Sequence, residues 1–199
     1  EYLMPEDRDA FSDFVRALKA QLASEKLVLL LALPPKTCRG QTGLLCEAHD
    51  FRVLGRNADL CVLKNASVTL GAPSALVDIG RMNETVRYAV SEIPAKKLLC
   101  SLPAGGLQWA LPWHQGQRAR PLAGAQAAEQ AVQVGAPIRY DDAAQAPHYN
   151  FWRGGTEQEV WFEDARSYRA KCALAAEYRL GGVAVPEAAQ WYSQLWGIL

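Results

Sequence analysis

Glu1 and Tyr2 open the chain, a lone carboxylate followed by an aromatic ring. Pro5-Glu6-Asp7 come next, then a helical pattern through Leu22 and an apolar run from Leu27 to Leu33. That run is too short for a second helix, so the stretch reads as the end of a strand, a crossover helix and the next parallel strand. Glu1 then lies at the C-terminal tip of its strand, where α/β proteins keep their chemistry. Other side chains with chemical capacity are more scattered. Lys64 follows a buried strand and could snorkel, pair with a carboxylate or meet an anionic ligand. Trp109 and Trp113, with His114 beside them, offer flat apolar faces that could pack on a sugar ring. His49 and His148 have no ligand spacing, so no metal is expected. Asp141-Asp142 read as a turn or cap, and Trp161 as core. The sequence holds no nucleophile triad, no phosphate-cradling glycine loop and no dinucleotide fingerprint, so no cofactor is expected.

The elements that position these groups follow from the pattern. Pro5 suits a first helical turn, Glu6 and Asp7 the positive end of the dipole, and Lys19 the negative end. Phe11, Phe14, Val15, Leu18 and Leu22 share one stripe, which predicts a buried helix face. Leu27 to Leu33 lacks polar alternation, which predicts a strand covered on both faces. After a loop with a short helix around Leu44 to Phe51, Asp59 to Leu63 reads as a strand, Arg81 to Ile93 as a helix and Lys96 to Leu102 as a strand. The segment from Gly105 to Gln158 is too long for a connection and predicts its own small subdomain. In it, a helix spans Ala123 to Val134, and strands occupy Ile138 to Tyr140, His148 to Trp152 and Glu159 to Phe162. Gly154-Gly155 makes the hairpin turn between the last two. Asp164 caps a helix through Tyr178, Gly181 ends it, and Gly182 to Val185 is a final strand.

Strand tips separated by crossover helices, with one insertion, predict an α/β protein built as a partial (β/α)8 TIM barrel. The expected organisation is barrel strands and helices over 1–104, an inserted α+β subdomain over 105–158, and the final barrel helix and strand plus a tail over 159–199. Trp191 and Trp196 are expected to pack that tail. Such a partial barrel leaves an open parallel edge and an apolar face to be covered by an N-terminal half-barrel or a partner chain.

The totals narrow the function classes. The chain has 199 residues, with 21 Lys plus Arg against 21 Asp plus Glu, so no net field draws nucleic acid or anionic lipid. No apolar run reaches the roughly 18–20 residues that cross a bilayer. The first residue is Glu rather than Met, which suggests a processed product or a piece of a longer protein. Cys38, Cys46, Cys61, Cys100 and Cys172 are odd in number. Cys61 and Cys100 suit core positions, whereas Cys38 and Cys46 are open between a loop disulfide and free thiols.

From Glu1 to about Val185 the chain resembles the C-terminal half of a glycoside hydrolase family 18 catalytic domain. The likeness is nearest to the spore-germination, cortex-lytic group often attached to LysM modules. It is carried by Glu1-Tyr2 with Pro5-Glu6-Asp7-Arg8, by Leu31-Ala32-Leu33-Pro34-Pro35-Lys36 and by Gly43-Leu44-Leu45. Further pieces are Ile138-Arg139-Tyr140-Asp141 and Val160-Trp161-Phe162-Glu163-Asp164-Ala165-Arg166-Ser167. The resemblance places the insertion after the seventh barrel strand and makes Glu1 the general acid of a substrate-assisted, retaining hydrolysis. In that chemistry the sugar's own N-acetyl carbonyl is the nucleophile. It implies Tyr2, Asn65, Trp109 and Trp113 as substrate-binding residues and an N-acetylglucosamine-containing glycan, chitin or peptidoglycan, as partner. It also implies a spore or cell-wall address.

Departures from the family pattern cluster at strand tips. A Met-Thr-Tyr-type run is replaced by Lys64, Asn65 and Ala66. Aromatics after the seventh strand give way around Ala104-Gly105-Gly106-Leu107-Gln108, and a terminal tryptophan gives way to Pro186 after Val185. Such small-for-large changes with the scaffold kept predict a catalytically impaired enzyme. The alternative is a non-catalytic glycan-binding or structural module of a spore or cell-wall protein.

Overall fold

The computed structural model describes residues 3–65, 71–185 and 197–198. In chain order the elements are α1 (Arg8–Ser24), β1 (Leu30–Leu33), α2 (Phe51–Asn57), β2 (Leu60–Leu63), α3 (Ile79–Glu92), β3 (Leu98–Ser101), β4 (Gly106–Leu111), β5 (Arg120–Leu122), α4 (Gly124–Gln133), β6 (Arg139–Asp141), β7 (Ala146–Arg153), β8 (Thr156–Phe162), α5 (Ala165–Glu177) and β9 (Gly182–Ala184). Short 3-10 turns at Pro5–Asp7 and Ala95–Lys97 lead into α1 and β3. Together they form a mixed α/β fold with two open sheets and two compact units.

The first unit holds the parallel sheet, ordered β1-β2-β3-β9. Its register runs in phase: Leu33 pairs with Leu63, Leu63 with Cys100, and Cys100 with Val183. Leu33, Cys61, Leu63, Leu98 and Cys100 are buried. β1 is an edge strand, and it differs from the expected doubly covered run. Leu27 and Leu30 are exposed, and Val28 is 67% exposed. On α1 the stripe also narrows: Ser12 and Val15 are buried while Phe14 is 58% exposed. Apolar composition registers what a residue would bury, and at an edge strand the neighbour that would do so is not part of this sheet.

Helix ends in this unit are closed by backbone chemistry. Lys26 and Arg179 take left-handed conformations, φ 57° and 53°, and the next amides return to carbonyls five residues back. These are Leu27 N to Leu22 O at 2.9 Å and Leu180 N to Ala175 O at 3.0 Å. Gly181 therefore does not end α5 as expected. Its amide donates to Leu98 O at 2.8 Å, and an added Cβ would lie 2.4 Å from Lys96 O, so glycine is needed for the close approach of two backbones. The helix expected around Leu44 to Phe51 begins later, because Asp50 Oδ1 accepts from Val53 N and caps α2 at Phe51.

The second unit holds the antiparallel sheet, ordered β5-β4-β8-β7-β6. Gly154 and Gly155, φ 57° and 78°, make the two-residue turn joining β7 to β8. One face packs Tyr149, Phe151, Val160 and Phe162 against Ala127 and Ala131 of α4. Leu107, Trp109 and Trp161 of the other face cluster with Ala75, Ala119 and Ala146. β4 and β5 lie in the part of the expected subdomain, 105–122, to which the sequence assigned no element, and β8 starts at Thr156, so the central strand crosses the expected boundary at 158.

Candidate functional site

A parallel strand delivers the residues just after its last pairing to one rim. In the parallel sheet these are Pro34 after β1 and Lys64 and Asn65 after β2. Lys64 N donates to Leu33 O at 2.8 Å, extending the β1–β2 ladder by one bond. Asn65 Nδ2 donates to Ser101 O at 2.7 Å, tying the end of β2 to the end of β3. Asn65 is half-buried, so it is held at the rim with one amide N–H directed into its own sheet.

Glu1 and Tyr2, the expected acid and its aromatic neighbour, lie outside the described residues, as do Ala66, Pro186, Trp191 and Trp196. Trp109 differs from expectation. Its ring is 0% exposed within the core and its indole N–H donates to Gly71 O at 3.1 Å, so no face is open to a sugar. The apolar run of β4 places it there, between Gly105 and Pro112, turn residues that could have marked the strand in the sequence. Trp113 is half-buried against the same cluster, with its indole nitrogen buried and without a hydrogen-bond partner among the described residues. His114 is exposed; its amide donates to Gln117 Oε1 at 3.2 Å, while Gln117 Nε2 donates to Ala110 O at 3.0 Å.

The remaining sequence candidates have structural partners. Trp161 is buried, donates to Glu159 Oε1 at 2.7 Å and stacks on His148 with centroids 4.5 Å apart. Asp141 Oδ1 accepts from Ala144 N at 2.7 Å, making the expected turn. His49 packs edge-on against Phe11, and its Nδ1 is buried without a partner among the described residues. Burial first, and the Lys36 ammonium second, bring its pKa down to about 4. None of the five cysteines is disulfide-bonded. Cys38 is exposed, while the Cys46 thiol faces Thr42 O at 3.5 Å in the same loop. Burial pushes the Cys61 thiol up to about 11, as suits a core residue. Among the described residues, no three His, Cys, Asp or Glu side chains converge as a metal group.

Three buried charged residues were not anticipated. Lys36 donates to His49 O at 3.1 Å and Cys46 O at 3.3 Å, which folds the loop after β1 around an ammonium. Desolvation lowers its pKa. Glu163 and Lys171 are both fully buried, with Lys171 Nζ 2.9 and 3.1 Å from the two carboxylate oxygens. Burial raises the Glu163 carboxyl against the pull of Lys171. The signal for this pair was slight: an acidic residue closing an apolar strand and a lysine eight positions on, in a helix capped by Asp164.

Residues 1–190 match the family model Glycosyl hydrolases family 18. The chain belongs to that glycosidase family. It is 37% identical over 203 residues to the Cortical fragment-lytic enzyme of Bacillus subtilis (strain 168), covering 100% of this chain and 47% of that protein. The crystal structure of the Bacillus cereus spore cortex-lytic enzyme SleL superposes with a TM-score of 0.95 at 36% identity, over 100% of this chain and 46% of that one. A chitinase from Chromobacterium violaceum matches with a TM-score of 0.90 at 25% identity, over 100% of this chain and 62% of that one. The chain therefore spans about half the length of the curated cortex-lytic relatives it matches.

Proposed function

We propose that this chain derives from enzymes that hydrolyse β-1,4-linked N-acetylglucosamine polymers, peptidoglycan or chitin, and that its own hydrolysis is impaired. In this reading β1, β2, β3 and β9 are about the last four strands of a (β/α)8 barrel, and the antiparallel sheet is the subdomain inserted after the seventh. Glu1 is the general acid at the tip of the preceding strand, with Tyr2 beside it, and the sugar's acetamido carbonyl is the nucleophile. Exposed Leu27, Val28 and Leu30 support a need for an N-terminal half-barrel or a partner chain along β1. A spore or cell-wall setting goes with the same resemblance.

The observation that carries the impairment is the tip of β2. The family resemblance calls there for a tyrosine hydroxyl that holds the acetamido oxygen. This chain has Lys64-Asn65, and Asn65 directs an N–H onto Ser101 O at 2.7 Å. Removing one hydrogen-bond donor aimed at developing transition-state charge costs about 10²–10³-fold in turnover in oxyanion-hole enzymes, and the same order is expected here. A fluorogenic chitobioside tests the reading. Turnover should be about 10³-fold or more below that of an intact family member. Robust turnover abolished by Glu1→Gln would overturn it. The second reading, a non-catalytic glycan-binding module, is favoured by a tryptophan held open on the antiparallel sheet.

A further inference from the structure

We propose that the β7–β8 hairpin carries a saccharide platform centred on Trp152. The proposal rests on the glycan reading above but not on any activity of Glu1. Alternation along the two strands puts His148, Asn150 and Trp152 of β7 on one face with Glu157, Glu159 and Trp161 of β8. The register pairs His148 with Trp161, Asn150 with Glu159 and Trp152 with Glu157.

Along this ribbon the environment changes steadily. Trp161 is in the core, His148 and Glu159 are half-buried, Asn150 is exposed and Trp152 is 71% exposed at the hairpin end. A large indole with most of its surface in water contributes nothing to the core that Trp161 and Trp109 already fill. The surroundings of Trp152 are polar and ordered. Asn150 Nδ2 donates to Glu157 Oε1 at 3.1 Å, fixing an amide and a carboxylate beside the ring. That bond leaves the other carboxylate oxygen of Glu157 and the amide oxygen of Asn150 as acceptors for hydroxyl or acetamido N–H groups. Further along, the Glu159 carboxylate is held by the Trp161 indole N–H at 2.7 Å.

A flat π face flanked by fixed hydrogen-bonding groups suits a pyranose, whose axial C–H faces are apolar and whose rim is polar. An apolar helix or a bilayer would find the Glu157 and Glu159 carboxylates on this face, while Arg153 of the same hairpin lies over the Phe151 ring on the other face. A neutral polar polymer meets no such penalty. The occupant assigned here is a β-1,4-linked N-acetylhexosamine oligosaccharide, with one ring seated on Trp152.

The test uses the whole chain labelled with 5-fluorotryptophan, the Trp152 resonance being assigned through Trp152→Phe, and N,N′,N″,N‴-tetraacetylchitotetraose as probe. Saturable shifts are expected at Trp152, with affinity falling about tenfold in Trp152→Ala and less in Asn150→Ala or Glu157→Gln. Binding with equal affinity in Trp152→Ala overturns the platform and leaves the glycan reading intact. Absence of binding in the unsubstituted chain overturns both, and equal binding of maltotetraose overturns the sugar class.

Discussion

The parallel and antiparallel sheets solve the same problem in opposite ways. The antiparallel sheet closes on its own residues: α4 covers one face, the Trp109 cluster fills much of the other, and short edge strands β5 and β6 end it. The parallel sheet is open along β1, with Leu27, Val28, Leu30 and Phe14 all exposed. Its inner strands are as well buried as any core. The difference teaches that burial in a parallel sheet depends on the next strand over, whereas hairpin-linked strands bring their neighbours with them.

The sharpest way to break the comparison is to damage the self-contained unit from within. Lys171→Met leaves Glu163 buried without its cation and should cost about 3–5 kcal/mol in chemical denaturation. Glu163→Gln in that background should recover much of the loss. The sign follows from the raised Glu163 carboxyl. In Lys171→Met the folded state binds the proton more tightly than the unfolded chain, so the defect is largest at neutral pH and shrinks on acidification. A defect that deepened in acid would refute this.

The open unit should respond to acid in the opposite direction. His49 is held neutral with a pKa of about 4, below the ordinary 6.5. Its contribution is present above pH 6.5 and lost as pH falls from 6.5 towards 4, because the unfolded chain takes the proton first. The size is about 3 kcal/mol at most. His49→Phe should flatten that slope, and hydrogen exchange should show amides of β1 and β2 losing protection before those of β7 and β8. Simultaneous loss would erase the contrast. The smallest effect concerns the edge itself. Replacing Val28 and Leu30 together by lysine should change stability by no more than about 0.5 kcal/mol, yet lower self-association in light scattering. Unchanged scattering would mean that the apolar edge is not what brings copies together.

Much of this arrangement was legible in the residues. Pro5, Asp164 and the glycine pair at 154–155 are local signals, and local physics decides caps and turns. Leu60 to Leu63 and Leu98 to Ser101 read as buried strands because both faces are covered. Leu27 to Leu33 carries the same pattern without the same cover, since composition cannot report which strand is at an edge. β4 was missed and Trp109 misplaced with it: an indole in a short apolar strand reads alike whether it faces a ligand or a core. Glu163–Lys171 and Lys36 were out of reach because charged residues default to the surface until their partners are known. At the candidate site Lys64 and Asn65 after β2 could be read directly. The bond from Asn65 to Ser101 could not, since the two are 36 positions apart.

β8 is the middle strand of the antiparallel sheet and pairs along its length with β4 and β7. It then runs without a linker into Glu163 and the start of α5. The antiparallel sheet consequently cannot be transplanted as a cassette cut at residue 158. Such a graft would abandon Val160, Trp161 and Phe162 to the donor and leave the recipient with a split sheet. A chimera that exchanges this region between family members must carry it through Glu163, and Lys171 with it.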